Sequence, residues 1–469
     1  MNAAPATASG KPEVDVTAFI NRQPVSRFQA LIVALCFLIV AIDGFDTAAI
    51  GFIGPAIRAQ WSLPPTQLAQ VFVAGLAGLM AGAFLFGPLG DRMGRKRLLV
   101  ASVFAFGTAS AVSALAPTFG WLVALRFLTG LGLGSAMPNA ITLTSEYCPI
   151  RIRSLLVTTM FCGFTLGSAL AGFAAAALLE FYDWHSVLLV GGVIPIVLGF
   201  VLIGLLPESV RYMVRARWDD ERIAHTLGRI APQEDLAGRH FVLADMGTGR
   251  HAGLRGLFAP KLRRGTILLW ATFFMGLLVI YLLQSWMPTL FKTGGMPMRT
   301  AAIVAGVFQI GGTLGAIALG WLMDRFSPSA VLAAAYLLAG IFIAAIGYLA
   351  ANPWLAGITV FWAGVCVSGT QVGANALTAA FYPTECRATG VSLANGIGRC
   401  GSMLGALAGG SMLAMGLAMP TLFMLVGVPC FIAAVTVLYF GLSQKDQTTR
   451  HEAPDVIATP SLQPARLNY

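Results

Sequence analysis

An all-α integral membrane fold, with twelve transmembrane helices in two six-helix pseudo-symmetric halves, is predicted by three observations. First, the chain is 57% hydrophobic and only 11% charged over 469 residues, with a mean hydropathy of +0.78; an ordinary soluble domain carries about 25% charged residues. Second, its apolar residues fall into twelve runs, and most approach the ~20 residues needed to cross a bilayer. Third, landmarks of the first six runs recur in the last six at one nearly constant spacing.

In chain order the runs cover 28–53, 66–90, 97–116, 119–143, 153–179, 185–206, 265–290, 300–323, 329–350, 354–380, 388–413 and 419–441. Several are Gly-rich, and the third and fourth are parted only by Ala116-Pro117-Thr118. This divides the chain into an N-terminal tail (1–27), a first six-helix half (28–206), a linker (207–264), a second half (265–441) and a C-terminal tail (442–469). The linker opens with helical spacing and mixed charge from Glu208 to Ile230, which predicts one or two surface helices. It is too short to bury the core of a catalytic domain.

Loop charge sets the orientation. Arg92, Arg95, Lys96 and Arg97 follow the second run, Arg151 and Arg153 the fourth, and the linker holds Arg211, Arg215, Arg217, Arg263 and Arg264. The other side has Arg58, Lys292 and Arg299. By the positive-inside rule both termini and the linker are cytoplasmic.

The repeat rests on three landmarks. Asp91-Arg92 recurs as Asp324-Arg325 at an offset of 233 residues; Arg153 recurs as Arg387, and Gly167-Ser168 as Gly401-Ser402, at 234. Parallel six-helix repeats with a site between them are a transporter plan.

Other classes are excluded. The seven cysteines are scattered, odd in number and mostly apolar in context, so neither a disulfide framework nor a metal spacing is present. No histidine of the five lies at the centre of an apolar run. No phosphate-binding Gly-x4-Gly-Lys-Ser/Thr loop occurs. The expectation is a protein with no enzyme activity, no cofactor and no metal. The net charge of +10 lies in loops and tails and does not imply nucleic acid. The first 27 residues lack the apolar stretch of a cleavable signal peptide.

Four charges remain within the apolar core: Asp43, Asp46, Arg126 and Arg399. A charge at bilayer depth costs roughly 2.5–3.5 kcal/mol even on a lenient scale and marks a functional site. Asp43 and Asp46 share one helical face. At 1.5 Å per residue Asp46 lies ~10 Å and Arg126 ~9 Å below the same edge, so the two can meet. Arg399 lies ~18 Å up an outward helix, near mid-depth, and its own half supplies no acid at that level. Arginine presents a planar fork suited to a carboxylate. Arg399 is therefore the candidate receptor for a substrate anion, and Asp43 and Asp46 are the candidates for carrying a coupling proton. Arg126 is a further binding candidate. Softer ones, able to wall or hydrogen-bond an aromatic ring, are Tyr281, Gln284, Trp286, Gln309, Gln371 and Asn375. Glu146, Arg153, Asp324, Glu385 and Arg387, at cytoplasmic helix ends, are gate candidates.

Gly87-Pro88-Leu89-Gly90-Asp91-Arg92-Met93-Gly94-Arg95-Lys96-Arg97 resembles the signature between the second and third helices of the major facilitator superfamily. That resemblance implies a latch at Gly87, Asp91, Arg92, Gly94 and Arg95 holding the halves together on the inner side. Asp43-Gly44-Phe45-Asp46, the stretch from Arg126 to Gly134, and the stretch from Tyr382 to Gly390 leading into Gly398-Arg399 resemble the aromatic acid:proton symporters of that superfamily. Phe19 to Pro24 and Ser154 to Gly163 are similar to their 4-hydroxybenzoate/protocatechuate transporters. The resemblance implies proton-coupled import of such acids by alternating access, by a monomer in the cytoplasmic (inner) membrane. Its partners would be a small aromatic carboxylate, protons and the bilayer. Another organic acid (benzoate, gentisate, hydroxyphenylpropionate, muconate) or a membrane sensor of aromatic acids is the alternative. The second latch copy, Asp324 to Pro328, lacks the basic run.

Overall fold

The computed structural model describes residues 12–86, 89–243, 257–260 and 262–452. Twelve long helices run through them: α1 (Arg27–Gln60), α2 (Pro65–Phe86), α3 (Arg95–Ser113), α4 (Phe119–Tyr147), α5 (Ile150–Phe181), α6 (Trp184–Leu205), α7 (Arg263–Thr293), α8 (Met298–Arg325), α9 (Pro328–Leu349), α10 (Pro353–Phe381), α11 (Thr384–Ala414) and α12 (Met419–Glu452). Ten of them, all but α3 and α11, are long and apolar enough to cross a membrane. The exceptions have a physical reason. Helix α3 opens on Arg95-Lys96-Arg97, and α11 carries Glu385, Arg387 and Arg399 among many glycines. Both are packed between other helices: α3 against α4 and α6, α11 against α7 and α2.

The helix ends follow local chemistry. Ser26 caps α1 in a reciprocal box with Gln29, Thr118 caps α4, and Asn352 caps α10 ahead of Pro353; each satisfies backbone N–H groups a helix start leaves open. Every principal pairing among the first six helices has its counterpart six helices later. Thus α1–α5 answers α7–α11, α2–α4 answers α8–α10, and α3–α6 answers α9–α12. The bridges between these two sets are α5–α8, α2–α11 and α1–α7. Close approach relies on glycine. A side chain at Gly44 would meet the Phe164 carbonyl at 2.0 Å, and one at Gly167 would meet the Ala41 carbonyl at 1.8 Å.

The core shows which end is shut. At the end away from the termini one large cluster takes residues from both sets, among them Ile53, Phe72, Trp286, Phe291 and Phe308. Toward the termini the clusters separate. One, with Leu99, Leu133, Leu202 and Ile223, draws on the first six helices and the linker; three smaller ones, with Tyr336, Tyr382 and Phe273, draw on the last six and the end of the linker. The bundle is sealed at one end and divided at the other.

The polar N-terminus is more structured than its composition suggests. Residues Glu13–Asp15 pair in parallel with His240–Val242 of the linker, and Val16–Arg22 is a short helix whose Val16, Phe19 and Ile20 are buried. The linker itself contributes two short helices, Val210–Arg215 and Asp220–Gly228. Of the cysteines, Cys400 is exposed and Cys162 is half-buried, and no disulfide joins any two of them among the described residues.

Because backbone meets backbone at Gly167, Gly167→Val is expected to abolish folded protein. Gly204→Ala, where a Cβ touches nothing within 4 Å, is expected to leave it intact. Monodispersity and thermal unfolding in detergent check this.

Candidate functional site

Two polar centres face each other across the boundary between the helix sets. On the first side Asp46 and Arg126 form an ion pair, Nη1 to Oδ2 3.2 Å, each 3% exposed. Ser110 donates to Asp46 Oδ1 at 2.6 Å, and Arg126 Nη2 donates to Ser113 (3.2 Å) and Thr129 (3.0 Å). Three helices thus build one network: α1 supplies the carboxylate, α3 two hydroxyls a turn apart, and α4 the guanidinium with Thr129 one turn on. Arg126 Nε keeps no partner among the described residues. A buried pair needs such added bonds, because desolvation otherwise cancels its Coulomb attraction.

Asp43, one turn before Asp46, is also buried. Among the described residues it accepts from Thr47 Oγ1, at 3.3 Å. The charge acting on it most strongly is that of Arg399, from the opposite set. Arg399 Nη1 donates to the Tyr281 hydroxyl at 2.7 Å, and its guanidinium stands 5.8 Å from the Tyr281 ring. Among the described residues no carboxylate lies within ion-pair distance of Arg399. The two arginines therefore differ: Arg126 is paired with a carboxylate, whereas Arg399 donates to a phenol oxygen and has no carboxylate partner among the described residues.

Asp46, Thr47, Ile50, Phe72, Arg126, Tyr281 and Gln284 line a cavity of about 470 Å³, counted with the solvent at its mouth. A pair of prolines stands beside the contact between α1 and α7. Pro55 in α1 and Pro288 in α7 stand at the repeat offset of 233. A proline inside a helix removes the N–H that would bond the carbonyl four residues back, here Gly51 and Gln284. These two residues are pressed together: a side chain at Gly51 would meet the Gln284 carbonyl at 2.3 Å.

The other sequence candidates are distributed around this centre. Trp286 is fully buried in the sealed end, edge-on to Phe72 at 5.3 Å, with its Nε1 donating to the Ala406 carbonyl at 2.8 Å. Gln309 is buried on α8, one turn before Thr313, which hydrogen-bonds Thr165 across the α5–α8 contact. Asn375 accepts from Asn395 at 3.0 Å. The Gln371 amide is buried without a partner and turns toward Gly276 and the Tyr336 hydroxyl.

At the end bearing the termini, Gly87 and the side chains of Asp91 and Glu385 lie outside the described residues. Gly94 adopts φ +94°, and a Cβ there would strike Glu208 Oε2. Arg92 is exposed, its carbonyl accepting from the Tyr212 hydroxyl, and Arg95 donates to Asn139 at 3.0 Å. The buried Glu208 takes the backbone N–H groups of Arg95, Lys96 and Ser209, at 2.6, 3.1 and 2.9 Å, and so caps α3. Glu146 accepts from Ser209. Arg153 and Arg387 each donate to a carbonyl five residues back, Cys148 and Tyr382. Asp324 is exposed and makes no ion pair among the described residues. Sequence reasoning passed over Glu208, although Pro207-Glu208-Ser209 was its signal. It also missed the hydroxyls of Ser110, Ser113 and Thr129, which no pattern separates from ordinary helix serines and threonines.

Repeat-related helices around a largely apolar cavity with a few polar groups, sealed at one end and parted at the other, define a secondary transporter. The chain belongs to the Major Facilitator Superfamily, whose model matches residues 36–362 and 295–466. It is similar to the 4-hydroxybenzoate transporter PcaK of Pseudomonas aeruginosa, 47% identical over 92% of this chain and 96% of the relative. It is also similar to the gallate transporter of Pseudomonas putida, 45% identical over 94% of this chain and 98% of the relative. Among solved structures, a D-xylose-proton symporter shares the fold with a TM-score of 0.68 at 17% identity, over 88% of this chain and 97% of that one.

Removing one member of a buried ion pair strands the other charge. Arg126→Leu is therefore expected to destabilise the protein by ~3–5 kcal/mol. The double variant Asp46→Asn/Arg126→Gln, which leaves no stranded charge, is expected to recover most of that loss in thermal unfolding.

Proposed function

We propose that the protein imports hydroxylated aromatic carboxylates, 4-hydroxybenzoate and protocatechuate foremost, together with protons. The observation that carries this reading is Arg399, a guanidinium near mid-depth that holds a phenol hydroxyl and, among the described residues, no carboxylate. A substrate carboxylate completes its coordination, with the Tyr281 hydroxyl as a second donor. The ring then lies in the cavity between Ile50 and Phe72, both apolar. Support for the ligand class comes from the two relatives named above. Gallate, also a hydroxylated benzoate, is the nearest alternative substrate.

Coupling is assigned to Asp43. Asp46 is committed to Arg126 and Ser110, whereas Asp43 holds one long hydrogen bond and feels Arg399 across the boundary. Protonation of Asp43 releases Arg399 from that field, so the substrate anion and the proton arrive as a pair. The halves then rock about the central site. The protein sits in the cytoplasmic membrane with both termini inside, as the loop arginines favour. The divided end then opens to the cytoplasm, and the latch at Gly94, Arg95 and Glu208 belongs to the inner gate.

In proteoliposomes, Arg399→Ala and Arg399→Lys are each expected to raise the apparent KM for 4-hydroxybenzoate at least ~10-fold, since a lost charge-assisted bond is worth ~1.5–3 kcal/mol. Unchanged affinity in both removes Arg399 from the site. Asp43→Asn is expected to keep exchange of labelled substrate across the bilayer while losing accumulation driven by a pH gradient. Retained accumulation transfers coupling elsewhere.

A further inference from the structure

Gln284 stands out among the groups that line the cavity. It is 7% exposed, and neither end of its side-chain amide has a hydrogen-bond partner among the described residues. A buried amide in this condition is costly, and native proteins rarely keep one without a use. Its position is fixed. The backbone at Gln284 is pressed against Gly51, and it lies one helical turn beyond Tyr281, the residue that holds Arg399. Three residues advance a helix by ~4.5 Å, which sets the free amide one turn along α7 from Tyr281, and both residues line the cavity. The Gln371 amide is equally unpartnered, but it turns behind α7 toward Tyr336 and does not line the cavity.

We propose that Gln284 reads the ring hydroxyl and is the residue that separates hydroxybenzoates from unsubstituted benzoate. The inference rests on the assignment of the carboxylate to Arg399. With the carboxylate there, the ring points along α7 and its far hydroxyl meets the amide. Oε1 accepts the phenolic O–H and Nε2 donates to the phenolic oxygen. An unsubstituted ring leaves both amide ends buried and unpaired, which is how a hydrogen-bonding site rejects an analogue lacking the group. A phenol also satisfies the amide without adding charge to the sealed end.

The test is transport by full-length protein in proteoliposomes, with labelled 4-hydroxybenzoate and labelled benzoate as separate substrates. It compares the wild type with Gln284→Leu and Gln284→Glu. The expected result for Gln284→Leu is an increase of about tenfold or more in KM for 4-hydroxybenzoate and unchanged or improved handling of benzoate, so that the preference collapses. Gln284→Glu, which still accepts a hydrogen bond, is expected to retain part of the preference. Benzoate transport reports that each variant is folded. An unaltered ratio of the two substrates in Gln284→Leu, or an equal loss of both, overturns the assignment. Failure of the wild type to transport either acid overturns instead the underlying reading of the substrate class.

Discussion

A guanidinium taken out of water must be surrounded by enough oxygen atoms, or enough negative charge, to replace its hydration. Arg126 is provided for: Asp46 faces it, and Ser113 and Thr129 take the remaining Nη2 donors. Arg399 is not. It has one phenol oxygen and the field of a carboxylate on the opposite set of helices. This inequality between two arginines organises the centre of the molecule. The one paired with a carboxylate fixes α1, α3 and α4 relative to each other. The other leaves a place for an anion from outside.

The scaffold around that centre is organised for movement. The repeat places a proline in α1 and another in α7, and each removes the hydrogen bond of the residue at which the two helices touch. The contact between Gly51 and Gln284 therefore joins two locally weakened helices. It sits where the sealed end meets the cavity. At the other end the two helix sets have separate cores. The first set is stiffened there by Glu208, whose carboxylate caps α3 and ties the linker to the turn after α2. Asp324, its counterpart region, stands exposed.

Much of this was legible before any fold was known, because the bilayer imposes a simple rule. Helices must cross it, and charges within them must be justified. That rule alone located twelve runs and isolated Asp43, Asp46, Arg126 and Arg399. The repeat offset then supplied the correspondence between α1 and α7. The same rule could not rank the uncharged candidates. Tyr281, Gln284 and Trp286 lie within six residues on one helix, and sequence gave them equal standing. The fold separates them: Tyr281 touches Arg399, Gln284 lines the cavity, and Trp286 is spent on packing and on the Ala406 carbonyl.

Composition and periodicity thus sufficed for the class of molecule, the number of helices and the rare charges, since each of these follows from the cost of moving a group from water into hydrocarbon. The depth estimate even brought Asp46 to Arg126. Which hydroxyls complete that pair, and which uncharged side chains line the cavity, did not follow, because they depend on how closely α1, α3, α4 and α7 approach one another. Those are distances between segments far apart in the chain, and close packing of whole helices sets them.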